Sequence, residues 1–430
     1  MKEPNRPLAF LDARVLDPAA GFDARTDVLI DKGRVAAVGP GLGLALAPEF
    51  ERVACNGLCL APGLVDMRVQ LRDPGEEHKE TIATASAAAA AGGVTSMVAL
   101  PNTAPVIDDV AAVEFIARRA REEKKTKVYC YGALTKALAG KELVEMGLLA
   151  ESGALGFTDG LVAVADARVM QRALSYASAL GLLVIQHPEE SRLAENGAMN
   201  SGPLSTRLGL AGIARAAEVM MIERDLHLVA MTGARYHVAH LSTAAAVEAV
   251  RAAKARGLKV TCDTAPPYFA LTEAAIGEYR TFAKLSPPLR GEDDRRAVAA
   301  AVADGTIDCL ASDHAPHDQE SKRVPFAQAA TGMIGLETLL PLSLDLHRQG
   351  APLLDILRRL TVAPADLLGL PQGRLSRGAP ADLVLFDPNR QWRVEPARLR
   401  SKSKNTIFEG ATMTGQVLRT VVDGRTVFAA

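Results

Sequence analysis

The apolar positions fall into three regimes along the 430 residues. Up to about Leu60 they form short strand-like runs broken by turn residues. Asp27 to Gly39, DVLIDKGRVAAVG, predicts two strands around a Lys-Gly turn. The last stretch has the same character: ADLVLFD from Ala381, then QVLRTVVDGRTVFA from Gln416, with Asp423-Gly424 at the turn. Neither end alone can bury much apolar surface. The simplest arrangement is one small β-domain, residues 1–60 plus 373–430, with residues 61–372 inserted between its halves.

The centre alternates. Strand-like runs lie at Gly63–Leu71, Val94–Pro101, Lys127–Leu134, Gly153–Asp159, Leu182–His187, Arg235–Ser242, Leu258–Thr264 and Thr306–Asp313. Helical stretches separate most of them, such as Thr81–Gly93 and Thr243–Gly257, both rich in alanine, the best helix former. Eight such alternations in about 310 residues predict an α/β fold, a closed (β/α)8 barrel of the TIM type. No repeat beyond this alternation is visible.

Composition adds exclusions. With 48% hydrophobic and 23% charged residues and a net charge of −1, nucleic acid and anionic membrane are not expected partners. No apolar run approaches the ~20 residues of a membrane span, and MKEPNRPLAF has no signal-peptide core. Cys55, Cys59, Cys130, Cys262 and Cys309 are odd in number and mostly sit in apolar runs, which predicts buried, reduced thiols and a cytoplasmic protein.

In such barrels chemistry sits where the strands end. The fourth predicted strand ends in Asp159, the fifth in His187, the sixth runs through His240 and the eighth ends in Asp313. A lone histidine of this kind would read as a satisfied core residue. Four carboxylates and imidazoles on one rim are costly to bury unpaired and are the ligand types of zinc and related divalent ions.

At these residues the chain resembles the dihydroorotase family of amidohydrolases, in its longer form with a barrel and a β-domain. The motifs that carry the resemblance are APGLVDMRVQLRDPGEEHKETI (Ala61–Ile82), PNT (Pro101–Thr103), GFTDG (Gly156–Gly160), HVAHLST (His237–Thr243), SPPLR (Ser286–Arg290), SDHAPH (Ser312–His317), GLETLLPL (Gly335–Leu342) and SKSKNT near the C-terminus. They follow the family order over nearly the whole chain. The resemblance implies metal ligation by His187 and His240 with Asp159 shared or bridging, and proton transfer by Asp313. Arg72 and Asn102 would clamp the substrate's carboxylate, with Ser286 and His317 as further substrate contacts. An Arg–carboxylate pair can be bidentate, which orients a ring as well as attracting it.

Three segments depart from the family pattern. The His-x-His expected on the first strand, which holds the first metal, is Arg68-Val69-Gln70 here. Arginine stays protonated and is no ordinary zinc ligand. The family's NPPLR becomes Ser286-Pro-Pro-Leu-Arg290, and its TPHH becomes Ala265-Pro266-Pro267-Tyr268. The resemblance therefore implies one zinc ion or none. Its leading implication is reversible hydrolysis of dihydroorotate to N-carbamoyl-L-aspartate, a step of pyrimidine biosynthesis, by a chain that also assembles as a homo-oligomer. Its alternative is a catalytically silent, dihydroorotase-like structural partner of aspartate transcarbamoylase. Arg68 bears on both: it either supplies part of the missing metal's charge or ion-pairs Asp313 and weakens it as a base.

Overall fold

The computed structural model describes residues 6–430; residues 1–5 of the expected β-domain lie outside the described residues. Strands from both ends of the chain share one eight-stranded sheet. Leu8–Asp17 pairs antiparallel with Phe22–Asp31 and parallel with Cys59–Pro62, which in turn runs antiparallel to Leu383–Arg393. Thr412–Val422 and Arg425–Ala429 extend the sheet on that side. Both expected hairpin turns are present. Lys32 and Gly33 have φ of 47° and 75°, and Asp423 and Gly424 have 49° and 74°. A two-residue turn with both φ positive matches the right-handed twist of its strands. The two turns also meet, since a Cβ on Gly424 would lie 3.0 Å from the Gly33 Cα. Phe10, Val28, Ile30, Leu60, Leu383 and Val421 form the apolar core behind this sheet.

The central strands run parallel in a ring. Leu64–Val69, Val94–Ala99 and Lys127–Cys130 form one arc. Leu183–Gln186, Arg235–Val238, Val260–Thr264 and Cys309–Leu310 form the other. Two junctions join the arcs. Phe157 bridges Gly132 on one side and Val184 on the other, and His314 bridges Val69. The barrel is thus closed, as the alternation predicts. Every residue of Leu64–Val69 and Val94–Ala99 is buried, as expected of parallel strands covered on both faces.

Most strands are shorter than the apolar runs predict, several of them at their C-terminal ends, whereas the seventh, Val260–Thr264, loses only its first residues. The run Arg235–Ser242 pairs only through Val238, and Gly153–Asp159 is reduced to a bridge at Phe157. Beyond those points the chain leaves the ladder to form the loops over the barrel mouth, yet stays buried, so its apolar pattern continues. The alanine-rich helices form as expected. Ile82–Ala91 opens with Thr81, which shares reciprocal hydrogen bonds with Thr84, and Ala244–Ala255 opens with Thr243 accepting from the Ala246 N–H. Such caps each stabilise a helix by about 1 kcal/mol.

Candidate active site

The loops leaving the strands bring together Arg68, His187, His240 and Asp313. Arg68 projects from the end of the first strand into the barrel and is 2% exposed. Its Nε lies 3.2 Å from Asp313 Oδ1, and its Nη2 donates to the Gly160 carbonyl at 3.2 Å. Its Nη1 has no partner. His240 Nε2 is 3.7 Å from the same Asp313 oxygen, and the rings of His187 and His240 meet edge to face with centroids 5.7 Å apart. His187 Nε2 is 3.2 Å from the Ser286 hydroxyl. The backbone is unusual at these positions: His240 and Asp313 have φ of 47° and 49°, as Arg72 has 61°. Non-glycine residues held there cost on the order of 1–3 kcal/mol each, and such strain concentrates at functional sites.

Burial sets the protonation of the group. Desolvation pushes the Asp313 carboxyl up to about 7 although the Arg68 charge opposes it. The same burial, reinforced by Arg68, brings His187 down to about 3 and His240 well below the usual imidazole range. Both rings are therefore neutral at physiological pH, with lone pairs available.

Asp159 stands apart from this cluster. One of its oxygens accepts from the backbone N–H groups of Leu134 at 2.9 Å and Thr135 at 2.8 Å, and the other accepts from the Thr135 hydroxyl. The expected ligand set of Asp159, His187 and His240 is not gathered, because the loop after the third strand already satisfies the carboxylate. Among the described residues no three His, Cys, Asp or Glu side chains converge in a metal-binding group. The buried ring nitrogens His187 Nδ1, His240 Nδ1 and His240 Nε2 lack hydrogen-bond partners. Two neutral imidazoles with unused nitrogens fit one divalent ion. The first strand does not fit a second, because its Arg68 charge is held against Asp313 and Gln70 accepts from Asn102.

The expected carboxylate clamp divides in two. Arg72 Nη1 donates to Glu76 at 2.8 Å and Nε to the Pro316 carbonyl at 3.2 Å, while Nη2 lies 3.2 Å from His317 Nε2. That Nε2 is also 2.9 Å from the Thr331 carbonyl. A carbonyl carries no proton, so Nε2–H donates to it and the arginine contact is one of proximity. Burial first, and then Arg72, brings His317 down to about 3. Asn102 is elsewhere, donating to the Gln70 carbonyl oxygen at 3.2 Å.

Sequence reasoning missed Asp263 and Asp66. Asp263 accepts from the His240 N–H at 2.7 Å and holds the His237 ring at 2.9 Å, so it fixes the segment that carries His240. It lies on the seventh strand one residue before the end, where the strand-end rule applied elsewhere would have found it. Asp66 accepts from the Ser312 N–H at 3.1 Å and ties the first strand to the eighth. Its burial inside the barrel had no sequence signal beyond the apolar run around it.

Comparison with known proteins places this geometry. The family model described as dihydro-orotase-like matches residues 57–246. The protein named dihydroorotase of Anaplasma phagocytophilum (strain HZ) is 46% identical over 429 residues, 98% of this chain and 95% of its own length. That of Geobacter sp. (strain M21) is 47% identical over 419 residues, 97% and 98% of the two chains. The chain belongs to the dihydroorotase family. In fold this dihydroorotase-family chain is similar to L-hydantoinase (dihydropyrimidinase) from Arthrobacter aurescens, at TM-score 0.86, 24% identity and coverage of 97% and 95%. It is similar also to dihydropyrimidinase from Brevibacillus agri NCHU1002, at TM-score 0.85, 24% identity and coverage of 98% and 95%. These amidohydrolases carry the barrel and β-domain seen here. No helix among the described residues is long and apolar enough to cross a membrane.

Proposed function

We propose that the chain is a dihydroorotase-type cyclic amidohydrolase that reversibly opens dihydroorotate to N-carbamoyl-L-aspartate in pyrimidine biosynthesis. The observation that carries this reading is the convergence of His187, His240 and Asp313 on one buried cation at the barrel mouth, in a chain of this family. His187 and His240 would hold one divalent ion, zinc by the chemistry of the ligands, with Asp159 able to join only by leaving Thr135. When bound, that ion supplies Lewis-acid chemistry, acidifying water and polarising a carbonyl.

The rest is assigned to the chain's own groups. The unpartnered Arg68 Nη1 donates to the ring amide carbonyl and stabilises charge that develops on its oxygen. Asp313, whose carboxyl is pushed up to about 7 and is therefore part-ionised at physiological pH, takes a proton from the attacking water as the carboxylate. It returns that proton to the ring nitrogen as the C–N bond breaks. Arg72 binds the substrate's carboxylate in place of the Glu76 carboxylate, with His317 beside it. Ser286 fixes the His187 ring.

The test is dihydroorotate hydrolysis and metal content on one purified preparation of the wild type and of the variant carrying Arg68→His and Gln70→His. The wild type should turn over with at most one ion per chain. The double variant should bind a further ion and gain activity. Absence of turnover by both proteins would sink the reading and leave the transcarbamoylase-partner alternative.

A further inference from the structure

Away from the barrel mouth, a cleft of about 920 Å³ opens between the helix Val110–Glu123, the third barrel strand Lys127–Cys130 and the C-terminal hairpin turn. It lies at the end where that strand begins, whereas Arg68, His187, His240 and Asp313 lie where strands end. Its floor is apolar, made by Val113, Ile116, Val128, Cys130 and Leu155. Its rim is basic, with Arg121, Lys124 and Arg425. Arg425 is occupied by the Lys124 carbonyl at 3.0 Å, but the exposed side chains of Arg121 and Lys124 make no ion pair. Behind the wall one polar group is unsatisfied: Thr126 is 4% exposed and its hydroxyl has no partner. A buried hydroxyl left in that state costs about 1–3 kcal/mol.

A second lobe of about 660 Å³ adjoins the first and shares Lys127, Tyr129 and Asp423 with it. Behind its wall lies an unsatisfied buried acceptor. Gln372 donates to the Tyr129 hydroxyl at 3.2 Å, and its carbonyl oxygen has no partner. Lys32 lies on its edge. The larger lobe alone is within the roughly 300–1,000 Å³ range of small-molecule pockets, which pair apolar walls with a few placed polar groups.

We propose that this cleft is a second binding site, separate from the barrel mouth, for a small amphipathic anion. An aromatic or aliphatic body sits on the apolar floor, and a phosphate or carboxylate reaches Arg121 and Lys124. The apolar floor suits the body, and the two cations without ion-pair partners suit the charge. The inference is independent of the proposed reaction.

Isothermal titration of the full chain tests it with four probes: 1-naphthyl phosphate, 1-naphthoate, the neutral 1-naphthol and inorganic phosphate. At least one naphthyl anion should bind once per chain, about tenfold or more tighter than naphthol or phosphate alone. Binding of only one of the two anions assigns the acidic group. Arg121→Glu combined with Lys124→Glu should weaken that binding at least about tenfold. So should Ala117→Trp, which fills the cleft from the helix. The charge-reversed pair is on the surface, so it remains informative even if the tryptophan variant does not fold. The proposal is overturned if neither naphthyl anion binds, if inorganic phosphate binds equally well, or if the folded variants bind as the wild type does. It is also overturned if the chain sediments as a dimer that charge reversal splits, which would make the cleft an interface between copies.

Discussion

At the ends of the first four barrel strands, polar side chains mostly satisfy one another, Arg68 Nη1 excepted. Gln70 accepts from Asn102, Asp159 is filled by Leu134 and Thr135, and Arg68 takes Gly160 and Asp313. At the ends of the fifth and sixth strands the imidazoles stay open, with three buried ring nitrogens unpartnered on His187 and His240. The same rim therefore carries two kinds of chemistry. The first half is locked by internal partners and one fixed cation, and the second keeps ligand-ready lone pairs. A buried charge inside a hydrogen-bonded frame holds geometry, whereas a buried, unsatisfied imidazole awaits a ligand.

Substitutions sharpen this contrast, and the largest effect should come from the cation itself. Arg68→Ala leaves Asp313 without its counter-charge in a buried site, and breaking such a pair costs about 3–5 kcal/mol. Urea unfolding should show a larger loss at pH 9 than at pH 6, because at the lower pH Asp313 escapes by binding a proton. An equal loss at both pH values would mean the pairing is not what Arg68 supplies.

In the open half the expected signature is proton linkage. His187 is held down to about 3 in the folded chain against about 6.5 unfolded. The unfolded chain thus takes up a proton that the folded one refuses. Its contribution is complete above pH 6.5 and is lost as pH falls toward 3. The effect is on the order of a few kcal/mol. His187→Gln should flatten that part of the stability curve, and an unchanged slope between pH 6.5 and 4 would rule out a neutral buried ring.

Smaller effects return to the locked half. Thr135→Val removes the hydroxyl that Asp159 accepts from, and leaving that carboxylate oxygen buried and unpaired should cost about 1–3 kcal/mol. A gain in bound metal without loss of stability would instead make Asp159 a ligand once it is freed from Thr135. Asn102→Ala removes one donor from Gln70 and should shift the urea midpoint least, by about 0.5–1.5 kcal/mol. A shift as large as that of Thr135→Val would show that the first half is a single network.

Hydrophobic periodicity and turn chemistry made the architecture legible before any coordinates. The Lys32-Gly33 and Asp423-Gly424 turns, the threonine-capped alanine helices and the eight-fold alternation are local patterns, and local patterns survive into the fold because backbone hydrogen bonding enforces them. The residue types at the strand ends were equally legible, and so was the loss of the first strand's histidines at Arg68 and Gln70. Partner choice was legible only in part. The Arg68–Asp313 pair, 245 residues apart, was one of two readings of the sequence, but Asp159 turned to a loop 24 residues earlier in the chain. Asp263 became the support of His240 across two strands. Those choices depend on which donors lie within about 3 Å once the barrel closes, and on burial deep enough to hold an imidazole neutral and a carboxyl near pH 7. Neither distance nor desolvation is a property of a residue in its sequence neighbourhood, so the sequence fixes the components of this site and only the closed barrel decides which of them face one another.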